Sequence, residues 1–442
     1  MAVENDRTRL GFYYFPDAQH YREKDLAEWL PNLVSLGARW ITLVAPFNRA
    51  IPESFLHGLM DAKIQPVLHF RGGIDPIDPQ SIHLLLETYA NWGIQHVAFF
   101  DRPNLRTSWT ASNWTQHNLV ERFLDIFLPL VDTARQIGLT PVFPPLEPGG
   151  DYWDTAFLRT ALQGILRRGY KDLVEKMVLG AYAWPSNRSL NWGAGGPDKW
   201  PMAEPYSPDP SKEDQCGFRI FDWYLALSQA VLGKIPEIFL LGAGSHIGDA
   251  IDPASPAIDE NRHTQVNLAI AQAVSCNSPA LLPPGMDPIP PSVLACNFWL
   301  LAAEPGSVEA SQAWFQPGGK KLPIVDSLKY WIHNRYVSMH KPDPLETFFP
   351  YPGKPIRHYL LLPSLPWGVT AWHLDVIQPF VQKYQPTIGF SIQEAAQADR
   401  VTIIGPAQSY PDATVENLVN AGCSLQLIDG NGTEIASKLS EL

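Results

Sequence analysis

The chain has 442 residues, 45% hydrophobic and 18% charged, which is the composition of a folded protein and too much chain for one ordinary core. Thirty-three Lys and Arg stand against 45 Asp and Glu, a net charge of −12 that argues against nucleic acid and anionic membranes as partners. The four cysteines (Cys216, Cys276, Cys296, Cys423) are scattered without CxxC spacing and read as reduced thiols, and no His/Asp/Glu cluster has metal-ligand spacing, so neither a metal nor another cofactor is expected. The N-terminus MAVENDRTRLGFYYF is charged and has no apolar core of a leader, and no run approaches ~18 apolar residues, so the expectation is a cytoplasmic protein without a membrane span.

From the N-terminus, short apolar runs alternate with longer helical ones. LGFYYF (10–15) reads as a first strand, followed by EKDLAEWLPNLVSLG, whose Leu26, Trp29, Leu30, Leu33 and Leu36 share one helical face and which stops at Gly37. WITLVAP (40–46) is a second strand, and the helix after it carries Pro52 in its first turn. IQPVLHF (64–70), HVAFF (96–100), LTPVFPP (139–145), VLGAYAW (178–184), EIFLLGAG (237–244) and VLACNFWLLA (293–302) continue the strand series, with a helical run between each pair and after the last. Near-continuous apolar strands indicate a parallel sheet covered on both faces. Eight such units over ~330 residues favour a closed (β/α)₈ TIM barrel, α/β in class, over an open doubly wound sheet. GAGSHIG (242–248) lacks both the GxGxxG spacing of a dinucleotide turn and the GxSxG of a nucleophile elbow.

The expected organisation is a barrel over 8–338, a Pro-rich linker over 339–356, and a small α/β domain over 357–442. In such barrels function sits at the C-terminal ends of the strands. The polar and aromatic residues following the strands include Asp17, Asn48, Arg71, Asp101, Arg102, Asn104, Glu147, Asp151, Trp184, Asn187, Ser245, His246, Asp249 and Asn297. Of these, Asp17, Arg71, Asn104, Trp184 and His246, together with Trp299, are candidate ligand-binding residues. Trp192 and Trp200, in the Gly-rich loop NWGAGGPDKWP (191–201), could form a platform for sugar rings or could pin the loop down.

YANWGIQHVAFFDRPNLRTSW resembles the fourth-strand segment of clan A glycoside hydrolases, where the strand ends in Asn-Glu and the Glu is the general acid/base. Asp101, Arg102, Pro103 and Asn104 fall on that motif, with Trp109 downstream, so Arg102 stands at the catalytic Glu position. EIFLLGAGSHIGD is similar to the clan's seventh strand, with Gly242 at the nucleophile position, or Ala243 after a one-residue slip. Trp299 is similar to the clan's cleft-floor aromatic. Retaining hydrolysis needs two carboxyl groups about 5–5.5 Å apart. Arg does not donate a proton at neutral pH and Gly has no nucleophile. The resemblance therefore implies a glycoside-hydrolase-like barrel with degenerate catalytic positions, a pseudoenzyme that binds a carbohydrate or serves in assembly. The alternative is an active hydrolase in which Asp101 and Glu147 have taken over, with a separation of about 6.5–9.5 Å suiting inversion through water. The C-terminal stretch VTIIG … ENLVNAGCSLQLIDGNGTEIASKL is similar to one cell-wall-binding repeat, which implies a module for interaction with a protein partner.

Overall fold

The computed structural model describes residues 8–205, 212–275, 282–283, 285–339, 354–363, 371–405, 412–430 and 432–440. The chain divides into two compact units, 1–340 and 341–442. The Pro-rich stretch read as a linker lies almost wholly outside the described residues.

The first unit is a closed barrel of eight parallel strands in sequence order: β1 (Leu10–Tyr13), β2 (Trp40–Val44), β3 (Gln65–Phe70), β4 (His96–Phe99), β5 (Thr140–Phe143), β6 (Val178–Ala183), β7 (Ile238–Ala243) and β8 (Val293–Phe298). Pairing of Gly11 with Asn297 across β1 and β8 closes the ring. Each strand lies inside the run expected for it, and all but β3 stop short of it at the C-terminal end, where the last residues enter the loops of the mouth.

Period-two alternation sends the residues of each strand to two different cores. Val67, Ala98, Val142, Val178, Tyr182, Phe239, Leu241 and Ala295 fill the barrel interior. Their neighbours Leu68, Val97, Phe99, Phe143, Leu179, Leu240 and Cys296 face the surrounding helices and build the larger core between the sheet and the outer ring. The helices supply the matching stripes. Leu119–Ile137 buries Val120, Phe123, Leu124, Phe127, Leu130, Val131 and Ala134 and ends at Gly138, whose φ of 95° closes the helix in the left-handed region. The helix Pro79–Asn91 begins where the Asp78 carboxylate accepts from the Gln80 amide, with Pro79 preset for the first turn.

Two irregularities matter for the mouth. The β6–β7 ladder shifts register between Ala181 and Tyr182, so Tyr182 comes to lie opposite Gly242. At the end of β4, Phe100 and Arg102 both adopt positive φ, 69° and 46°, a region that side chains other than Gly enter at a cost.

The second unit is a four-stranded parallel sheet in the order β10-β9-β11-β12, from β9 (Ile356–Leu361), β10 (Thr387–Gly389), β11 (Ala398–Ile404) and β12 (Ser424–Ile428). Alternation again splits the side chains. Tyr359, Leu361, Val401 and Ile403 pack with Ala395 and Leu418 on one face. Leu360, Ile404 and Ile428 pack with Ile377, Phe380, Ile435 and Leu439 on the other. Helices therefore cover both faces, as parallel sheets require. Among the described residues, no helix is long and apolar enough to cross a membrane.

Candidate functional site at the barrel mouth

The mouth is organised around Asp101, one residue beyond the left-handed Phe100. Its side chain is only 10% exposed. Its Oδ2 accepts from Arg71 Nε (3.2 Å) and Nη2 (3.0 Å) and from Arg102 Nε (3.2 Å), and its Oδ1 accepts from the Tyr182 hydroxyl (2.7 Å). Burial by itself would raise the Asp101 pKa, but Arg71, His69, Arg102 and the Tyr182 hydrogen bond together hold it below the usual carboxylate range. Asp101 is thus a fixed anion with both oxygens occupied.

The groups around it are themselves held. Arg71 Nη1 donates to the Pro16 carbonyl at 3.3 Å, and its guanidinium lies 5.9 Å from the Tyr13 ring and 5.8 Å from the Trp299 ring. His69 is fully buried, and Nε2 sits 2.8 Å from the Phe100 carbonyl while Nδ1 sits 3.2 Å from the Tyr13 hydroxyl. A carbonyl only accepts, so Nε2 carries the proton and Nδ1 accepts from Tyr13. Burial pushes the imidazole pKa down to about 4, which keeps it neutral beside two guanidinium groups. It also pushes the Tyr13 and Tyr182 hydroxyls upward, so both remain donors.

Arg102 bridges two carboxyl groups, with Nη2 3.2 Å from Asp101 and Nη1 3.4 Å from Glu147 Oε2. One guanidinium spanning both keeps the two carboxyl groups within about 9 Å. The Glu147 pKa is raised, first by burial and further by Asp101 and Asp154, against the pull of Arg102. Glu147 follows β5 and is brought to β4 by Asn104. The Asn104 amide donates to the Glu147 carbonyl (2.8 Å) and the Tyr152 carbonyl (3.0 Å), and its oxygen accepts from the Glu147 amide (2.9 Å). Asn104 is fully buried with its polar atoms committed to the backbone, so it positions Glu147 instead of facing a ligand.

Across the mouth, aromatic rings form a continuous wall. Trp184 stacks on Tyr182 at 5.1 Å and 16°, and its ring lies 5.3 Å from His246 and 6.3 Å from Trp299, which in turn lies 4.6 Å from Tyr13. Trp299 donates from Nε1 to Gln312 Oε1 at 2.8 Å, and its peptide to Leu300 is cis. Trp184 and Trp299 are both partly exposed. Gly242 lies beneath this wall. A Cβ added there would meet Trp184 Cη2 at 2.7 Å and Tyr182 Cδ1 at 2.9 Å, so these rings occupy the space a side chain at 242 would need.

Other candidates are placed differently. Asp17 accepts from the Gln19 amide (2.8 Å) and contacts His20 Nδ1 (3.0 Å), while His20 Nε2 reaches Glu304 Oε1 (2.7 Å), a contact between the loops after β1 and β8. Trp192 and Trp200 pack on each other at 5.3 Å; Trp192 donates to the Asp214 carbonyl, lies under Arg188 at 4.4 Å, and Trp200 donates to the Ala194 carbonyl. These contacts are all within the long loop after β6, so the two rings pin it down. Asn187 ties the same loop to the next through Asp252 and Ser255. His246 contacts Asp249 at 3.5 Å, and its Nε2, like Ser245 Oγ, is buried without a hydrogen-bond partner among the described residues. Tyr13, His69 and Tyr182 were not among the sequence-derived candidates, because they lie inside the strands and not after them. Among the described residues, no three His, Cys, Asp or Glu side chains gather as a metal ion requires.

No family model matches the chain, and no curated protein matches its sequence. Among solved structures it is similar to a family 39 glycoside hydrolase from Bacteroides cellulosilyticus WH2, at 10% identity and a TM-score of 0.45 over 74% of this chain and 64% of that one. The chain thus spans just under two thirds of that enzyme's length. It is also similar to the exo-beta-1,4-mannosidase Op5Man5 from Opitutaceae bacterium strain TAV5 (10% identity, 97% of this chain and 79% of that one, TM-score 0.40). A GH128 endo-beta-1,3-glucanase from Sorangium cellulosum is similar at 11% identity, over 73% of this chain and 97% of that one, with a TM-score of 0.41. The first unit is a (β/α)₈ barrel on its own strand topology. Nothing in the comparisons supports the likeness of the C-terminal stretch to a cell-wall-binding repeat.

Proposed function

We propose that the barrel mouth is a saccharide-binding site in a glycoside-hydrolase-like protein that does not carry out retaining glycoside hydrolysis. One arrangement carries this reading: the Arg102 guanidinium lies between Asp101 and Glu147, while Trp184 and Tyr182 fill the space above Gly242. Retaining hydrolysis needs a carboxylate free to attack and a carboxylic acid about 5–5.5 Å away. Asp101 is saturated by three side chains and held ionised, which makes it a weak nucleophile and a weak base. Position 242 offers neither a carboxylate nor room for one.

What remains suits binding. Trp184 and Trp299 present apolar faces of the kind that pack on the C–H faces of pyranose rings, and Arg102 and Glu147 are partly exposed partners for hydroxyl groups. A second reading has one observation in its favour. Glu147 has a raised pKa, as a general acid needs, and the Arg102 it shares with Asp101 keeps the two carboxyl groups within about 9 Å, inside the outer limit for inversion. The test is a set of aryl glycosides and mechanism-based fluoroglycosides, with binding followed by tryptophan fluorescence. Saturable binding without covalent labelling or turnover is the expected result. Covalent trapping overturns the proposal, and release of a product with inverted anomeric configuration establishes the second reading in its place.

A further inference from the structure

We infer that the ligand of the barrel mouth bears a carboxylate, the uronate group of a single acidic sugar residue docking on Arg102. This rests on the saccharide-binding reading and names the class of sugar.

The argument begins with how the two cations are used. Arg71 is spent: two of its nitrogens hold Asp101 Oδ2 and the third holds the Pro16 carbonyl. Arg102 shares the same Asp101 oxygen through Nε and Nη2. Its Nη1 reaches Glu147 at 3.4 Å, well beyond the roughly 2.7–2.9 Å of a good charge-assisted bond. One firmly ionised carboxylate therefore serves two guanidinium groups. The second carboxyl, Glu147, holds Arg102 only through that one long contact, and burial raises its pKa. Arg102 is therefore the less firmly held of the two cations, and its side chain is 34% exposed, against 21% for Arg71.

The backbone holds that group in place. Arg102 sits at φ 46° two residues after Phe100 at φ 69°, and its amide donates to the Pro145 carbonyl at 3.0 Å. The left-handed backbone aims the side chain inward, and contacts to Asp101 and Glu147 hold the guanidinium over the Tyr182 ring, 5.6 Å from its centroid. An anion entering from the mouth meets a pre-oriented fork walled by aromatic rings, where water competes less for the charge. A planar carboxylate matches the fork and would replace the long Glu147 contact. The chain's net charge of −12 limits the ligand to few charges, because a polyanion would be repelled along its whole length. A single uronate residue on an otherwise neutral glycan fits both constraints.

The test is titration of the full chain, followed by tryptophan fluorescence and calorimetry at low salt. The probes are methyl glycosides of glucuronic, galacturonic and mannuronic acid, their methyl esters, and the neutral methyl glucoside, galactoside and mannoside. At least one uronate is expected to bind about 10-fold or more tightly than its ester and its neutral counterpart, the worth of one charge-assisted contact. Raising the salt should shrink that gap. Arg102→Met should abolish it, and Glu147→Gln, which removes the competing carboxylate, should tighten uronate binding several-fold. The ester comparison uses the unaltered protein, so it decides even where Arg102→Met fails to fold. Equal or tighter binding of esters and neutral sugars overturns the inference while leaving saccharide binding standing. Propionate competing as well as the uronate removes the sugar from it. Binding of none of the saccharides overturns both readings.

Discussion

Replacing Arg71 by Met tests whether Asp101 is held by charge. Asp101 and Arg71 side chains are 10% and 21% exposed, so water screens the pair little. Stripping a buried charge of its partner costs about 3–5 kcal/mol. Here Arg102 and Tyr182 still reach Asp101, so a loss of about 2–3 kcal/mol is expected at pH 7. A unit of this size unfolds with an entropy of ~0.7 kcal/mol/K, which converts the loss to a fall in Tm of about 3–4 °C. The Asp101→Asn change should cost at least ~1.5 kcal/mol less in the Arg71→Met background than alone. The pH dependence has a definite sign. The folded pKa of Asp101 is depressed, so its contribution is present above the unfolded value of about 3.9 and lost as pH falls through the folded one. The gap between parent and variant should therefore narrow from pH 7 to pH 3 in urea titrations followed by tryptophan fluorescence. A gap under ~0.5 kcal/mol at pH 7, or one that widens in acid, refutes the reasoning.

Glu147 behaves in the opposite sense. Its folded pKa is raised, so its favourable contribution is complete below about 4.3 and disappears as pH rises through the folded value. Glu147→Gln should gain on the parent in urea stability between pH 4 and pH 7, and a gain on moving toward acid contradicts this. Asn104→Ala deletes three hydrogen bonds between the loops after β4 and β5 and leaves buried backbone groups unpaired, at a cost of about 3 kcal/mol and a Tm lower by about 4 °C in differential scanning calorimetry. Gly242→Glu combined with Arg102→Glu restores two carboxylates in sequence but not in space, since Trp184 stands 2.7 Å from the new Cβ. That double variant should lose at least ~1–3 kcal/mol and remain unlabelled by fluoroglycosides, and stoichiometric labelling would show that the rings move aside freely.

The barrel was legible because its signal is repeated eight times. Each apolar run such as IQPVLHF or VLGAYAW is too short for a helix, and each is followed by a stripe of helical period, so an error in any one of them leaves the ring intact. Arg71, Asp101, Arg102, Glu147, Trp184 and Trp299 were legible for a related reason. They follow strands, and in a closed parallel barrel everything that follows a strand arrives at one end. Asn104 and Asn187 satisfy the same rule, yet they join loop to loop. Their type gives no warning, because an amide that binds a sugar and one that binds backbone are the same residue in sequence. Trp192 and Trp200 fail for want of a distance: a long loop read as a line does not show whether its rings turn toward the mouth or toward each other.

Tyr13, His69 and Tyr182 were hidden by the grammar that revealed the fold. In LGFYYF, QPVLHF and VLGAYA they stand among apolar neighbours, and a strand buried on both faces has no polar side against which an inward residue would stand out. Parity supplies the missing signal. Val67 faces the barrel interior, so His69 two positions on must face it too, and the same step carries Val178 to Gly180 and then Tyr182. A polar residue on the inward parity near the end of a strand has to find polar partners, either on another strand, as Asn297 does with Thr42, or at the mouth, since most of the interior is apolar. Applied to these strands, that rule picks out His69 and Tyr182 without coordinates. Their partners then follow: an aromatic hydroxyl and an imidazole buried beside Asp101, Arg71 and Arg102 must donate to what is anionic and stay neutral beside what is cationic. The charge state of the whole mouth is therefore set as much by two residues inside the strands as by the charged residues beyond them.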